Sequence, residues 1–302
     1  MTNHLPGCDE RFVEVDGLRL RMVRGPEPAG VAPRSVLLLS GRTEFAEKYA
    51  ETVGDLASMG FGVLTMDWRG QGASSRLLAD PRRGHVDDFR SFQRDLDALL
   101  SIAAVEMPRP WFCVAHSMGC LVLMERLMAD PSVVSRAVLV SPLFGLAASP
   151  PMRRVGAILA RAARLIGLSD RYVPGHGEDP AAGENPVNNV LTSDRDRFLA
   201  YRALGRAVPE RMLGGVTLGW LAAALDAMAR IDRPGAMEGV TTPLLLFQAG
   251  NERVVSKGAI AAAAARLPVA RLLTFPGAEH ELLMERDVIR NRAFAEIDRF
   301  LG

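Results

Sequence analysis

Short apolar runs alternate with amphipathic helical stretches along most of this chain. The apolar runs predict eight strands, at 11–15, 18–23, 36–39, 61–66, 111–115, 137–140, 243–249 and 271–275. Asp16 and Gly17 join the first two strands, as in a tight hairpin. Helical periodicity predicts helices at 44–59, 86–104, 118–129, 256–267 and 285–301. A hairpin followed by alternating strands and helices predicts an α/β protein: a mostly parallel eight-stranded sheet with helices on both faces.

The alternation stops between residues 143 and 233, where helical segments separated by prolines replace the strands. We therefore predict a first part of the core at 1–142, an inserted helical lid at 143–233 and a second part of the core at 234–302. Four arginines lie among apolar residues early in the insertion: Arg153, Arg154, Arg161 and Arg164. Two interpretations stay open. In the first, this basic amphipathic helix binds an anionic lipid surface. In the second, its apolar side chains seal the lid while the arginines face water.

Composition narrows the classes of function. The chain has 36 Lys and Arg against 35 Asp and Glu, and thus lacks the basic excess of a bulk nucleic-acid binder. No apolar run reaches the ~20 residues that span a bilayer, and residues 1–17 lack the pattern of a secretory signal. The three cysteines lack metal-ligand spacing, and Cys113 and Cys120 are predicted to be buried, reduced thiols. We expect a cytoplasmic protein without a nucleic-acid partner.

The most informative motif is Ala115-His116-Ser117-Met118-Gly119, between a predicted strand and a predicted helix. This context is typical of a nucleophile elbow, a sharp turn that presents one serine hydroxyl for attack on a carbonyl. The residues two positions before and after the serine must be small, because the chain folds back on itself there. Ala115 and Gly119 meet this requirement, so we interpret Ser117 as a nucleophile.

A serine nucleophile needs a histidine as base and an acid that orients the histidine. In this topology the acid follows the serine along the chain, and the histidine follows the acid. His280 lies in the loop between the last strand and the last helix. Glu252 is the carboxylate in the turn after 243–249, and the alternative position after the preceding strand carries no acid. The sequence therefore predicts a triad of Ser117, Glu252 and His280. The alternative for Glu252 is a surface ion pair with Arg253.

Two backbone amides are predicted to form the oxyanion hole. One belongs to Met118, directly after the nucleophile, and the other to Arg42, in the loop after 36–39, where Gly41 allows close approach. The side chains of Arg42 and Glu44 either shape the acyl or head-group site or hold this loop. The glycine-rich turn at 67–74 lacks a Walker lysine and a dinucleotide fingerprint, so we interpret it as a rigid loop that supports the rim of the active site.

Together these motifs resemble the α/β-hydrolase superfamily, in the branch of monoacylglycerol lipases and bacterial lysophospholipases, with the closest similarity to the lysophospholipases. Further similar segments lie at 40–44, 67–72, 141–145, 189–192, 248–255 and 277–281. The resemblance implies an α/β-hydrolase fold, a helical lid after the sixth sheet strand, and hydrolysis of one acyl ester in a lysolipid or monoglyceride. Monoglyceride lipases of the branch carry His-Gly and an Asp acid where this chain has Ser40-Gly41 and Glu252, which argues against monoglyceride specificity more than against hydrolysis.

We therefore predict a cofactor-independent serine ester hydrolase that releases a fatty acid from a single-chain lipid, foremost a lysophospholipid. The lid is expected to shelter the acyl chain with apolar residues. The predicted lining residues are Leu143, Phe144, Leu146, Tyr201, Trp220 and Leu221. The alternatives are a monoacylglycerol lipase or general esterase, a proline-iminopeptidase-like aminopeptidase, and a non-catalytic receptor of this fold. Lipid binding by the basic helix would place the enzyme at the inner face of the membrane.

Overall fold

The computed structural model describes residues 5–28, 34–178 and 189–302, and the structural statements below concern these residues. The strands are β1 (Asp9–Val15), β2 (Leu18–Arg24), β3 (Arg34–Leu39), β4 (Phe61–Met66), β5 (Trp111–His116), β6 (Arg136–Val140), β7 (Leu244–Ala249) and β8 (Ala270–Phe275). The α-helices are α1 (Ala50–Ser58), α2 (Arg90–Glu106), α3 (Met118–Ala129), α4 (Pro150–Leu165), α5 (Arg195–Ala207), α6 (Leu218–Ile231), α7 (Lys257–Arg266) and α8 (Asp287–Leu301). Single 3₁₀ turns lie at Ala46–Tyr49, Pro209–Arg211 and Leu282–Met284.

The strands form one sheet in the order β1-β2-β4-β3-β5-β6-β7-β8. Strand β2 pairs antiparallel with β1 and β4, and the other pairs are parallel. In the predicted hairpin turn, Asp16 and Gly17 both have positive φ, at 54° and 74°. The mostly parallel eight-stranded sheet and its N-terminal hairpin are therefore confirmed.

Apolar clusters cover both faces of the sheet. In β5, Cys113 and Ala115 belong to the cluster with α2, α3 and α6, whereas Phe112 and Val114 belong to the cluster with α1 and α8. Successive strand residues point to opposite faces, so a strand covered on both faces must be apolar at every position. This explains why the central strands occur in the sequence as continuous apolar runs.

Two predicted helices begin later than their periodicity suggested. Where one helix was predicted at 44–59, the structure has a 3₁₀ turn followed by α1. The side chains of Glu44 and Lys48 are buried there and lie 2.8 Å apart, which fixes the start of this segment. Where a helix was predicted at 86–104, α2 begins only at Arg90. The residues before it are held by His85, which is buried and whose Nδ1 lies 3.1 Å from Thr217 Oγ1. In both places, tertiary contacts of buried polar side chains determine the local conformation.

The segment between β6 and β7 holds α4, α5 and α6 and lies against the carboxyl end of the sheet. Tyr201 Oη of α5 donates a hydrogen bond to Thr43 O at 3.0 Å, in the loop after β3. Leu143 N donates to Ser117 O at 3.1 Å, at the end of β5. The inserted segment therefore contacts the two loops that carry the predicted nucleophile and oxyanion donors.

Candidate active site

Ser117 lies in the sharp turn between β5 and α3. Its φ of 48° and ψ of −109° lie in a region that few non-glycine residues adopt. Three backbone hydrogen bonds fix this conformation: Ser117 N donates to Val140 O at 3.0 Å, and Ser117 O accepts from Cys120 N and Leu143 N, each at 3.1 Å. The neighbouring strand and the start of the inserted segment thus hold the serine in its strained geometry.

The small residues of the motif have a direct steric reason. A Cβ on Gly119 would lie 2.6 Å from Leu39 O and 2.8 Å from Ser40 O, distances at which the backbone would have to move. Glycine therefore allows the first turn of α3 to approach the end of β3. Ala115 is completely buried, and its carbonyl lies 3.1 Å from Cys120 Sγ.

The structure brings the three predicted triad residues together. His280 Nε2 lies 3.0 Å from Ser117 Oγ, and His280 Nδ1 lies 2.9 Å and 3.0 Å from the two carboxylate oxygens of Glu252. All three residues are buried, and the Glu252 side chain has no exposed surface. With its proton on Nδ1, the imidazole donates to the carboxylate and presents Nε2 as an acceptor for the serine proton.

The carboxylate of Glu252 is held by more than His280. Its Oε1 accepts hydrogen bonds from Val254 N at 2.8 Å and Val255 N at 3.1 Å. Burial acts to raise the pKa of this carboxyl group, but the hydrogen bond and charge of His280, with the two amides, outweigh burial and lower the pKa. The group therefore stays ionised beside the imidazole. The predicted alternative, a Glu252–Arg253 pair, is wrong, because Arg253 pairs with Glu279 at 3.1 Å.

The two predicted oxyanion donors are the backbone amides of Met118 and Arg42. Met118 is the first residue of α3, and such an amide has no partner within its own helix. The amide of Arg42 donates to no other group in the described parts of the chain. Both amides are thus available to an oxyanion, which supports their predicted role.

The glycine-rich turn at 67–74 braces the loop that carries Arg42. Gln71 Nε2 donates to Gly41 O at 3.1 Å, and Gln71 Oε1 accepts from Thr43 N at 3.0 Å. Trp68 Nε1 donates to Ser40 O at 2.9 Å. The residues on both sides of Arg42 are therefore fixed by side chains from one neighbouring turn.

Sequence reasoning missed a buried polar network beneath these loops. Lys48 Nζ lies 2.8 Å from Glu44 Oε1 and 2.5 Å from Glu281 Oε1, and Glu44 Oε2 lies 3.0 Å from His116 Nδ1. Burial acts to raise the pKa of Glu44, but His116 and Lys48 lower it well below its ordinary value. The four-residue spacing of Glu44 and Lys48 predicts an ion pair between them. The same spacing is typical of exposed helix faces, so the sequence does not show that this pair is buried.

The network connects the parts of the site. Glu44 also accepts a hydrogen bond from Gly41 N, next to Arg42. His116 directly precedes Ser117, and Glu281 directly follows His280. The oxyanion loop, the elbow and the histidine loop therefore share one set of buried ionic contacts.

The structure separates the six predicted acyl-lining residues into groups. Trp220 and Tyr201 contact the oxyanion loop, with the Trp220 ring 5.2 Å from Arg42 Cζ. Phe144 and Leu146 instead line a cavity of about 560 Å³ between α6 and α7. Leu221 packs in a small cluster between α4 and α6. Only part of the predicted set, including Leu143 beside Ser117, lies at the nucleophile or the oxyanion loop.

The described residues were also compared with the ligand sets that bind metal ions. Within the described ranges, no three His, Cys, Asp or Glu side chains cluster as metal ligands would.

A serine, a histidine and a carboxylate joined in this order, at the carboxyl ends of the strands of a mostly parallel sheet, define a serine hydrolase of the α/β-hydrolase fold. A family model described as "Serine aminopeptidase, S33" (Hydrolase_4) matches residues 31–287. The chain therefore belongs to this family.

Individual relatives support the resemblance predicted from the motifs. Lysophospholipase L2 of Escherichia coli strain K12 is 35% identical over 304 residues, covering 97% of this chain and 87% of that protein. A probable lysophospholipase L2 of Haemophilus influenzae is 30% identical over 277 residues, covering 91% of this chain and 86% of that protein. A soluble variant of the monoglyceride lipase of Saccharomyces cerevisiae has the same fold, with a TM-score of 0.77 at 19% identity, over 97% of this chain and 95% of that one.

Proposed function

We propose that the chain is a lysophospholipase that cleaves the single acyl ester of its substrate. The observation that carries the proposal is the 3.0 Å contact between Ser117 Oγ and His280 Nε2, in a buried site beside two amides available to an oxyanion. The similarity to two lysophospholipases over more than nine-tenths of the chain supports the substrate class.

The geometry suggests each step of the reaction. Ser117 Oγ attacks the ester carbonyl while His280 Nε2 takes its proton, and Glu252 stabilises the imidazolium that forms. The amides of Met118 and Arg42 donate to the oxyanion of the tetrahedral intermediate. His280 then protonates the leaving glycerol oxygen, which leaves an acyl-serine. A water molecule, deprotonated by the same histidine, releases the fatty acid and restores Ser117.

We propose that residues 143–233 act as a lid over this site. The contacts of Tyr201 with Thr43 and of Leu143 with Ser117 support a position over the nucleophile. Trp220 and Leu143 are proposed to contact the acyl chain nearest to the ester. A detergent-like substrate requires such shelter, because its chain would otherwise be exposed to water during the reaction.

The family description also names an aminopeptidase activity. A site for a free amine needs a carboxylate that has no other partner. The buried Glu44 and Glu281 beside the triad both contact Lys48, so neither is free to bind a substrate amine. This arrangement favours an ester over an aminoacyl substrate.

A substrate panel tests the proposal. We expect the highest kcat/KM for lysophosphatidylcholine, a lower value for monoolein, and p-nitrophenyl ester rates that rise with acyl length, because the chain binds apolar surface. Ser117→Ala protein measures the background. Faster cleavage of an aminoacyl p-nitroanilide than of any lipid would contradict the proposal and favour the aminopeptidase.

We propose in addition that α4 contacts the anionic surface at the inner face of the membrane. None of the helices in the described part of the chain has the length and apolar character of a membrane span. However, α4 exposes large apolar side chains, with Met152 and Ile158 each 67% exposed and Val155 56% exposed. These exposures support the lipid-surface interpretation over the alternative, in which the apolar residues of this helix seal the lid.

The four arginines of this helix are not equivalent. Arg161 and Arg164 lie 3.3 Å and 2.7 Å from Asp226 of α6, so their charges are partly neutralised. Arg153 and Arg154 are exposed and pair with no acid in the described residues. The proposed electrostatic attraction therefore rests on Arg153 and Arg154, beside the exposed apolar side chains.

The double variant Arg153→Gln/Arg154→Gln is expected to weaken binding to anionic vesicles by about thirtyfold, since each basic residue near such a surface contributes about 1 kcal/mol. Co-sedimentation with phosphatidylglycerol vesicles measures this, and wild-type binding should fall as salt rises. Arg195→Gln/Arg233→Gln is the matched control, because it removes two exposed charges from other elements. Equal loss in both variants, or no wild-type binding, would contradict the contact.

A further inference from the structure

The side chain of Arg42 is a cation without an acidic partner among the residues that the structure describes. It extends from the oxyanion loop to the inserted segment, where Nη2 donates to Gly215 O at 2.6 Å and to Gly214 O at 3.2 Å. Its Nε is buried and donates to no group in the described chain. Carbonyl groups satisfy a hydrogen bond but carry no full negative charge. Desolvation accordingly lowers the pKa of Arg42 to about 10, so the group stays protonated at neutral pH.

Three more deeply buried arginines show how this molecule compensates a desolvated cation. Arg21, Arg69 and Arg290 are at most 4% exposed, and each contacts a carboxylate: Arg21 that of Glu47 at 2.7 Å, Arg69 that of Asp95 at 2.6 Å and Arg290 that of Asp55 at 2.5 Å. A desolvated cation is costly unless it is paired. Arg42 remains partly accessible and contacts no carboxylate among the described residues, a state that it shares with Arg76, so its guanidinium is able to pair with a bound anion.

A second unpartnered donor lies close to Arg42. Tyr172 forms a short antiparallel bridge with Thr217, directly after the segment of Gly214 and Gly215 that accepts from Arg42. The Oη of Tyr172 is buried and has no hydrogen-bond partner among the residues that the structure describes. A hydroxyl group in this state costs free energy unless a ligand or a water molecule pairs with it.

The acidic side chains described around Tyr172 each have an arginine neighbour, and Glu178 lies 3.7 Å from Arg82. Asp170 and Asp80 both contact Arg83, at 2.8 Å and 3.1 Å, and the Arg83 guanidinium lies 5.6 Å from the ring of Tyr172. Glycine residues leave room around the guanidinium, since a Cβ on Gly84 would lie 3.0 Å from Arg42 Nη2. The ionic groups beside Tyr172 are therefore paired with one another, and the chain fits closely around the Arg42 guanidinium.

We propose that Arg42 and Tyr172 bind the phosphodiester of the substrate head group, an inference that rests on the proposed lysophospholipase function. The guanidinium supplies the positive charge and the N–H groups that do not contact Gly214 and Gly215, and the tyrosine hydroxyl donates to a phosphate oxygen. The backbone amide of Arg42 is the proposed oxyanion donor, so one residue contacts both the ester and the phosphate. Arg42 thereby sets the distance between the scissile bond and the charged group.

The first test is the ratio of kcat/KM for lysophosphatidylcholine to kcat/KM for monoolein, which carries no phosphate. Arg42→Gln is expected to lower this ratio by tenfold or more and Tyr172→Phe by about threefold, with Arg42→Lys intermediate because it keeps the charge but not the planar fork. The ratio cancels any general disturbance of the oxyanion loop. An equal loss for both lipids in all variants would overturn the inference and leave Arg42 as a connection between loop and lid.

Arg76→Gln is the matched control for this ratio. Arg76 also has a buried Nε without a partner, and its Nη2 also donates to a carbonyl of the inserted segment, Glu210 O, at 2.7 Å. It is not part of the proposed site, so its replacement should leave the ratio within about twofold. A shift as large as that of Arg42→Gln would assign the effect to lid attachment and overturn the inference.

The second test needs no turnover, because Trp220 lies 5.2 Å from Arg42 and reports on binding by fluorescence. Glycerophosphocholine should give a saturable change in wild type that glycerol does not give and that Arg42→Gln and Trp220→Phe both lose. Binding of inorganic phosphate without binding of glycerophosphocholine would overturn the head-group assignment. Wild type that cleaves neither lipid would contradict the proposed function alone, and this titration would still decide the phosphate site.

Discussion

Ser117→Ala is expected to lower kcat for ester hydrolysis by on the order of a million-fold, because the proposed acyl intermediate forms on the Ser117 hydroxyl oxygen. The fold should persist, since the backbone hydrogen bonds to Val140, Cys120 and Leu143 do not involve the hydroxyl. Initial rates with lysophosphatidylcholine measure the loss. Covalent labelling by a fluorophosphonate should occur in wild type and be absent from the variant.

The matched control is Ser141→Ala at the end of the neighbouring strand. Ser141 shares the unusual backbone of the nucleophile, with φ of 46°, and its buried Oγ has no hydrogen-bond partner in the described chain. Its hydroxyl lies outside the triad, so this variant should keep kcat within about threefold. Turnover at the wild-type rate in Ser117→Ala would show that the elbow serine is not the nucleophile.

The sheet was predictable because its signals are local. Parallel strands covered on both faces are apolar throughout, and β5 and β6 therefore stand out in the sequence without knowledge of their partners. The elbow was predictable for a related reason, since Ala115 and Gly119 meet a steric requirement within five residues. The order of acid and histidine along the chain then follows from the topology.

The supporting contacts were not predictable from spacing, because they join residues far apart in the sequence. Lys48 looks like a surface residue until Glu281 is placed beside it, and Gln71 gives no sign that it binds the oxyanion loop. For the same reason, the lipid-surface interpretation of the sequence counts Arg161 and Arg164 as free charges. Their partner, Asp226, lies on another helix of the insertion.

The structure shows how a glutamate, which is longer than aspartate, fits the acid position of the triad. Asn251 N donates to Ala278 O at 2.9 Å, and Gly250 N donates to Phe275 O at 2.9 Å, so the turn before Glu252 is attached to the loop that carries His280. A Cβ on Gly250 would lie 2.9 Å from Phe275 O, so glycine allows this close approach. The turn is thus fixed at the depth at which the longer glutamate side chain contacts the imidazole through both oxygens.

Glu252→Gln is expected to lower kcat by about 10³- to 10⁴-fold, the second largest effect after loss of the nucleophile. The amide keeps the size of the carboxylate, but it removes the charge that stabilises the imidazolium. Its NH₂ group can also donate to His280 Nδ1, which places the ring proton on Nε2 and directs it at Ser117. Glu252→Asp keeps the charge and should lose only about ten- to a hundredfold, because the carboxylate must reach about one methylene further.

Glu279→Gln is the control, because Glu279 lies next to His280 in the sequence yet pairs with Arg253 at 3.1 Å. Its kcat should stay within about threefold of wild type. Rates measured over a range of pH test the tautomer: Glu252→Gln should stay slow at every pH, because its imidazole presents a proton instead of a lone pair to Ser117. Wild-type rates in Glu252→Gln would mean that another carboxylate orients His280. No other acid contacts Nδ1 in the described residues, so the carboxylate would then have to approach from outside them.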